Sequence, residues 1–244
     1  MPGNHEFYGN GDVLAYGDSW SRKILPNVHY YQNKVVRIDD TDFILSTLWS
    51  HIQPQDEYFV SRGMNDFRQI RCGGRRFTTD DFNVEHQKCL SFIKQSVAES
   101  TAEHIVVVTH HLPSLAVVAP QHKGSLLNSA FATELGDFIA DSRIDVWIFG
   151  HSHANEEATI GNTRLVCNQL GYVAYVIVIK LVHAEHDASV VGKRSSKLLP
   201  IDQPIRTCHT FLYEIRILAK DAFPYQQMFL REMTRSDTCL QLPN

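Results

Sequence analysis

The sequence predicts an α/β fold in which mixed sheets carry helices on their outer sides. Two short apolar runs, residues 105–108 and 144–149, are typical of buried parallel strands. A segment with helical periodicity precedes the first run, and a second such segment lies between the two runs. Hairpin patterns flank this strand–helix–strand unit. This order favours a mixed α/β architecture.

The composition favours a globular protein and argues against some kinds of partner. The chain has 244 residues, 43% of them hydrophobic and 20% charged, which is typical of a globular domain that needs neither disulfides nor a structural metal. A net charge of -4 argues against binding nucleic acid through bulk charge. Five dispersed cysteines without a CxxC pair favour a reducing compartment, so a cytoplasmic location is predicted.

No membrane association is expected from the sequence. The N-terminus has no signal-peptide pattern, and the longest apolar run, residues 173–182, is too short to cross a bilayer. The oligomeric state is left open.

The first half of the chain predicts strands and then a polar excursion. Residues 28–48 form β-branched and aromatic runs with breaks at 32–34 and 39–41, a pattern that indicates hairpin-linked strands. Residues 51–76 are polar and contain three glycines, so we expect a long excursion or a cap. A helix is predicted after the cap-forming segment 79–81.

The second half predicts another helix, a hairpin and a tail. Residues 128–140 have an amphipathic pattern, and Gly161-Asn162 between two apolar segments predicts a hairpin with a type I′ turn. Beyond residue 183 no period persists. Three explanations remain open for this tail: a poorly ordered extension, a segment packed on the domain edge, or a reading frame altered near Val173.

Polar clusters rich in histidine stand at three places. They are Gly3-Asn4-His5-Glu6, Thr109-His110-His111 after the first apolar run, and Gly150-His151-Ser152-His153 after the second. Neutral imidazole is the commonest metal ligand among side chains, and glycine lets the backbone approach a metal or a phosphate. Taken singly, each histidine fits a hydrogen-bonded structural residue as well. The ordered combination of the three favours a metal site.

This ordered set resembles the calcineurin-like metallophosphoesterases, in which a GNH[DE] block, a strand-end histidine and a GHxH block build much of a dinuclear metal centre. The motifs at 3–9, 47–49, 64–67 and 109–114 resemble a bacterial branch of that superfamily. The resemblance covers residues 2–173. It implies a four-layer α/β/β/α sandwich whose N-terminal strands are missing, with a phosphoesterase domain over 1–182 and a C-terminal extension over 183–244.

The resemblance also implies roles for individual residues. Asn4, His110 and His151 would bind the second metal, His153 would bind the first, and His5 would act on the substrate as the catalytic residue. Imidazole and amide ligands suit Mn, Fe, Zn or Ni. Two such ions lower the pKa of a bridging water and stabilise an in-line displacement at phosphorus. The implied activity is hydrolysis of a phosphomonoester or a phosphodiester, with the substrate itself left open.

One departure from the family pattern matters for the metal count. The family uses an upstream Asp-Xaa-His block and a Gly-Asp block ending in Asp, and this sequence begins at the Gly-Asn-His-Glu block. The first metal position is therefore expected to be incomplete in this chain. Met1 directly before that block leads to the hypothesis that translation starts inside a longer frame.

Two alternative functions remain open at this point. The first is a catalytically inactive remnant that serves as a binding or structural domain. The second is a hydrolase or binding module with a single metal, held by His110, His151 and His153, whose open position would accept water.

Overall fold

A computed structural model of the chain describes residues 1–169. The predicted domain boundary at 182, the extension over 183–244 and the three explanations for the tail lie outside the described residues. They stay predictions.

Within residues 1–169 groups of strands are separated by helices along the chain. The strands are β1 (Trp20–Leu25), β2 (Val28–Gln32), β3 (Lys34–Ile38), β4 (Thr41–Ser46), β5 (Arg71–Cys72), β6 (Arg75–Arg76), β7 (His104–Thr109), β8 (Val146–Ile148), β9 (Ala158–Ile160) and β10 (Thr163–Val166). The α-helices are α1 (Glu57–Gly63), α2 (Asp66–Gln69), α3 (Thr79–Glu99) and α4 (Gly136–Ala140). Short 3-10 helices include Asn4–Phe7 and Asn128–Ala130.

A six-stranded mixed sheet organises the described part of the chain. Its order is β3-β4-β7-β8-β10-β9. The four inner strands run parallel, whereas β3 and β9 pair antiparallel with their neighbours at the two edges. The hairpins β1-β2 and β5-β6 form two further small sheets. The predicted mixed α/β class is confirmed.

The inner strands are apolar on both faces, which is why their sequences read as continuous apolar runs rather than as alternating ones. Ile44, Val107 and Trp147 face the larger core, to which α3 contributes Phe82, Cys89 and Ile93. The opposite face carries a second, smaller cluster: Met1, Leu45, Val106, Val108, Val146, Ile148 and Val166. This double burial makes the sheet a rigid base for the loops at its ends.

Helix α3 begins where the sequence predicts a cap. The Thr78 hydroxyl accepts a hydrogen bond from the Asp81 backbone N–H, and the Asp81 carboxylate accepts one from the Thr78 backbone N–H. This reciprocal pairing satisfies two of the free N–H groups at the helix start. The helix then runs for 21 residues with its apolar side against the sheet.

The predicted strand breaks are confirmed at 32–34 and 39–41. Asn33, with a positive φ of 48°, separates β2 from β3, and Asp39 at φ 52° turns β3 into β4. The excursion over 51–76 contains α1, α2 and the β5-β6 hairpin rather than irregular chain alone.

The predicted helix over 128–140 is wrong in its middle. Only a 3-10 turn at Asn128–Ala130 and α4 at Gly136–Ala140 are helical. Between them the chain pairs with 112–113: the Leu112 N–H donates to the Phe131 carbonyl, and the Thr133 N–H donates to the Leu112 carbonyl. Tertiary pairing thus uses groups that a continuous helix would bond internally.

The hairpin around Gly161-Asn162 is confirmed, but its type I′ turn is not. Gly161 has φ 58°, whereas Asn162 is not among the residues with positive φ, and a type I′ turn requires positive φ at both positions. An added Cβ at Gly161 would also lie 3.0 Å from backbone atoms of Ala140.

No helix within residues 1–169 is both long enough and apolar enough to cross a bilayer.

Candidate metal centre

The carboxyl ends of the parallel strands bring two of the histidine clusters together. His110 directly follows β7, and His151 lies three residues beyond the end of the neighbouring β8. The Gly150 N–H donates to the His110 carbonyl at 3.0 Å, which ties the two loops to each other. Ligand sites in α/β proteins commonly lie at this edge of the sheet.

The N-terminal cluster is attached to the same edge. The Thr47 hydroxyl, just beyond β4, donates to the Pro2 carbonyl at 2.9 Å. The Glu6 carboxylate accepts a hydrogen bond from the Gly3 N–H at 2.6 Å and closes the 3-10 turn that begins at Asn4. Gly3 is needed here because a Cβ would lie 2.5 Å from the His110 ring.

Three potential donor atoms converge at this point. His110 Nε2 lies 2.9 Å from Asn4 Oδ1 and 3.0 Å from His151 Nδ1. Two ligands of one ion, each at about 2.1 Å and at a right angle to each other, are about 3 Å apart. The observed separations therefore match neighbouring ligand positions of a divalent metal.

Proton accounting favours a cation over a purely internal hydrogen-bond network. An imidazole nitrogen offers one in-plane position, occupied by either a proton or a lone pair, and an amide oxygen only accepts. A proton on His110 Nε2 can therefore make one good hydrogen bond, although two acceptors lie close to it. His151 Nε2, which is not one of the three donor atoms, is buried without a hydrogen-bond partner among the described residues. A cation between the three atoms would use all three lone pairs.

Electrostatics keeps these imidazoles neutral. Burial lowers the pKa of His110 well below the usual histidine value, and neighbouring imidazoles lower it further. Burial and the same neighbours act in the same direction on the pKa of His151. Metal ligation requires the neutral imidazole, so both histidines are in the form that binds metal at neutral pH.

His153 and His5 lie at the margin of this group. Burial lowers the pKa of His153, and the nearby His5 lowers it further, so the two imidazoles are close enough to interact. The His153 backbone N–H donates to Gln169 Oε1 at 2.9 Å. His151 and His153 both have positive φ, 72° and 53°, which is uncommon outside glycine and is often found at functional loops.

His111 has a different environment from His110. It is completely buried between Trp49 and Phe82, with ring centroids 5.4 and 5.7 Å away. Its two ring nitrogens have no hydrogen-bond partner among the described residues. The side chain is thus part of the apolar core behind the centre rather than exposed to solvent.

Sequence reasoning gave no role to three residues that hold the centre together. They are Thr47, Gln169 and Asp66, of which Asp66 accepts a hydrogen bond from the Asn4 amide at 2.9 Å. Thr47 and Asp66 lie in the short motifs at 47–49 and 64–67, and these motifs were the feature of the sequence that could have identified them. Gln169 lay in no such motif, and only the folded chain brings it beside His153.

The donor set suits a metal but is not a complete binding group by itself. No three His, Cys, Asp or Glu side chains of residues 1–169 are arranged to hold an ion. The third donor next to His110 and His151 is instead the amide oxygen of Asn4. Two imidazoles and one amide oxygen fit Mn, Fe, Zn or Ni, and no protein carboxylate is among these three donors.

The fold and this edge place the chain among α/β proteins with a polar site at the carboxyl ends of parallel strands. A family model for the calcineurin-like phosphoesterases matches residues 1–155. The chain therefore belongs to that family, which is dependent in general on two metal ions and hydrolyses phosphoesters. A relative, the uncharacterised protein L509 of Acanthamoeba polyphaga mimivirus, is 28% identical over 189 residues, covering 70% of this chain and 67% of that protein.

Proposed function

We propose that this chain is a metal-dependent phosphoester hydrolase whose centre lies at the carboxyl ends of β7 and β8. Asn4 Oδ1, His110 Nε2 and His151 Nδ1 hold one divalent ion, Mn, Fe, Zn or Ni. His153 belongs to the position of a second ion, and the substrate is a phosphomonoester or a phosphodiester. The observation that carries the proposal is the convergence of three donor atoms at 2.9 and 3.0 Å.

The chemistry divides between the ions and the chain's own residues. Divalent ions at such a site lower the pKa of a coordinated water and neutralise charge on phosphoryl oxygens during in-line displacement. His5 supplies the proton for the departing ester oxygen. It follows Asn4 directly and is partly exposed, so its imidazole can reach a substrate outside the buried donors.

The geometry also supports a role for His5 in holding the substrate. Its ring lies against Tyr8, with centroids 4.4 Å apart, which limits where the imidazole can point. His5 contributes to lowering the pKa of His153, so the two rings lie near each other. A positively charged His5 would therefore bind a phosphate oxygen on the solvent side of the centre.

The test is hydrolysis by the full chain after EDTA treatment and after addition of Mn²⁺. The probes are p-nitrophenyl phosphate and bis-p-nitrophenyl phosphate, with the metal content of the protein measured in parallel. We expect Mn²⁺-dependent hydrolysis of at least one probe, reduced more than about 100-fold in His110→Ala, because losing a direct ligand should cost more than losing an outer partner. His122→Ala, which changes an exposed histidine, is the matched control.

A single-ion site is the second candidate, because the described residues bring one donor atom of Asn4 and one of His151 within 3.0 Å of His110 Nε2. One tightly held ion per chain together with hydrolysis would favour this candidate, and two ions would favour the dinuclear one. Bound metal without hydrolysis of either probe would favour an inactive binding domain. Absence of both metal binding and hydrolysis would contradict the proposal.

A further inference from the structure

A buried carboxylate lies directly behind the proposed ligand Asn4. Asp66, the first residue of α2, is completely buried. Its Oδ1 accepts a hydrogen bond from Asn4 Nδ2 at 2.9 Å, and its Oδ2 accepts one from the Tyr8 hydroxyl at 2.9 Å. Both oxygens are therefore used, and both point toward the 3-10 turn that carries Asn4 and His5.

The carboxylate determines which end of the Asn4 amide faces the histidines. A carboxylate only accepts hydrogen bonds, so the NH₂ end of the amide must point toward Asp66. The oxygen end then points toward His110, as the distance of 2.9 Å between Asn4 Oδ1 and His110 Nε2 indicates. A flipped amide would set its oxygen against the carboxylate and present N–H groups, which cannot bind a cation, to the imidazoles.

The charge of Asp66 has no cationic partner within the described part of the chain. The ion pairs found among residues 1–169 do not include Asp66, and its two bonds come from a neutral amide and a neutral phenol. Burying a carboxylate is costly unless it is compensated by hydrogen bonds or by charge. A divalent ion on the far side of the Asn4 amide would supply that compensation.

We propose that Asp66 is a positioning residue that orients the Asn4 amide so that its oxygen can bind the metal. This proposal rests on the proposed function, because it assumes an ion at Asn4, His110 and His151. Residues that orient metal ligands from behind typically change metal affinity by 10–100-fold when they are replaced. Asp66 acts through Asn4 and touches neither the ion nor the substrate.

The experiment exchanges the two side chains. Asn4→Asp, Asp66→Asn and the double variant are compared in the full chain by calorimetric titration with Mn²⁺ and by the Mn²⁺ electron paramagnetic resonance signal. Asn4→Asp places two carboxylates against each other, and Asp66→Asn removes the preference for one amide orientation. Each single variant is expected to weaken Mn²⁺ binding by about 10–100-fold.

The double variant provides the discriminating result. It keeps the net charge and restores a carboxylate–amide pair in the opposite order, with the new Asp oxygen facing the histidines. We expect its Mn²⁺ affinity to return to within about tenfold of the wild-type value, which is the lower bound of the loss expected for a broken pair. A residue with only a structural role would not give this rescue.

Tyr8→Phe is the matched control. It removes the bond to Asp66 Oδ2 and leaves the bond to Asn4, so we expect Mn²⁺ affinity to stay well inside the tenfold range expected of an orienting residue. If a single variant does not fold, the double variant is compared with wild type, and a loss of Mn²⁺ affinity of more than about tenfold would overturn the positioning role. A double variant that binds Mn²⁺ no better than either single variant, or wild-type affinity in Asp66→Asn, would overturn the positioning role. Wild-type protein that binds no Mn²⁺ would instead overturn the proposed function.

Discussion

The amino ends and the carboxyl ends of the inner parallel strands differ in how their polar side chains are partnered. At the amino ends, the Asp42 carboxylate accepts hydrogen bonds from Arg37 and from the Ser100 hydroxyl, the latter at 2.6 Å. Close by, the Asp145 carboxylate accepts the Ile105 N–H at 2.7 Å. At the carboxyl ends, His110 Nε2 lies close to both Asn4 Oδ1 and His151 Nδ1 but can make only one good hydrogen bond. The ring nitrogens of His111 have no hydrogen-bond partner among residues 1–169.

This difference separates an end whose polar groups stabilise the sheet from the end that carries the proposed metal centre. Hydrogen bonds to charged groups contribute about 1.5–3 kcal/mol each, whereas an unsatisfied buried polar group costs about 1–3 kcal/mol. The carboxyl ends also contain the two histidines with positive φ, which add backbone strain. The amino ends therefore stabilise the strands, whereas the carboxyl ends carry the donor atoms of the proposed metal centre.

The largest effect should come from replacing a donor at the carboxyl ends. In His151→Ala we expect the Mn²⁺-dependent kcat/KM to fall more than about 100-fold, because a direct ligand should matter more than an outer one. The free energy of unfolding in EDTA should stay within about 1 kcal/mol of wild type, since the loss of packing against Phe131 is offset by removal of an unsatisfied nitrogen.

Urea unfolding with and without Mn²⁺ separates these two effects. Wild-type protein at an Mn²⁺ concentration about 100 times the Kd should gain about 2.7 kcal/mol, and His151→Ala should gain little. A loss of several kcal/mol in EDTA would show that the histidine stabilises the fold. The proposed difference between the amino ends and the carboxyl ends of the sheet would then be wrong.

A second prediction concerns pH and the buried His86. This side chain of α3 donates through Nδ1 to the Trp49 carbonyl, just beyond the carboxyl end of β4. Burial lowers the pKa of His86 to about 4, whereas an unfolded histidine titrates near 6.5. Because the unfolded chain takes up the proton first, stability is intact above about pH 6.5 and decreases as the pH falls toward 4.

The expected contribution of His86 between pH 6.5 and pH 4.5 is a loss of about 2 to 3 kcal/mol. Urea unfolding of His86→Gln across this range should show a slope smaller by about one proton than the wild-type slope. Thr78→Ala, at the N-cap of the same helix, is the control, since it should cost about 1 kcal/mol at every pH. Equal slopes in wild type and His86→Gln would contradict the assignment.

The sequence predicted much of the scaffold because its signals are local. Polar residues at 32–34 and 39–41 interrupt apolar runs, and two mainly apolar runs are followed by histidines, so the sequence indicates where strands end and break. The prediction of a helix over 128–140 was wrong because residues 131–133 pair with Leu112, and no local sequence pattern encodes this contact. The type I′ turn was wrong because only Gly161, and not Asn162, has positive φ.

The sequence pointed to the side chains of the proposed centre but not to the residues that hold them. Asn4, His110 and His151 stand in recognisable motifs, and the structure brings their donor atoms within 3.0 Å of His110 Nε2. Asp66 stands in a polar segment, where a carboxylate normally faces water, and only the tertiary fold buries it behind Asn4. A sequence pattern reports which groups are available, whereas burial decides which of them act as supports.

The smallest of the expected effects is at the amino ends, in Asp42→Ala. Loss of the bonds to Arg37 and Ser100 should lower the free energy of unfolding by about 2 kcal/mol, while Arg37 is partly exposed and regains water. Mn²⁺ affinity should be unchanged, because Asp42 lies near the opposite end of β4.

The contribution of Asp42 also depends on pH. Arg37 lowers the pKa of Asp42 below its usual 3.8, so the stabilisation is present above that pH and is lost only as the pH falls further. Acid unfolding should therefore show two separate windows, with the His86 contribution lost between about pH 6.5 and 4 and the Asp42 contribution lost below it. If Asp42→Ala changes the loss of stability between about pH 6.5 and 4 or weakens Mn²⁺ binding, the two ends of the sheet are coupled. The proposed difference between the amino ends and the carboxyl ends would then be wrong.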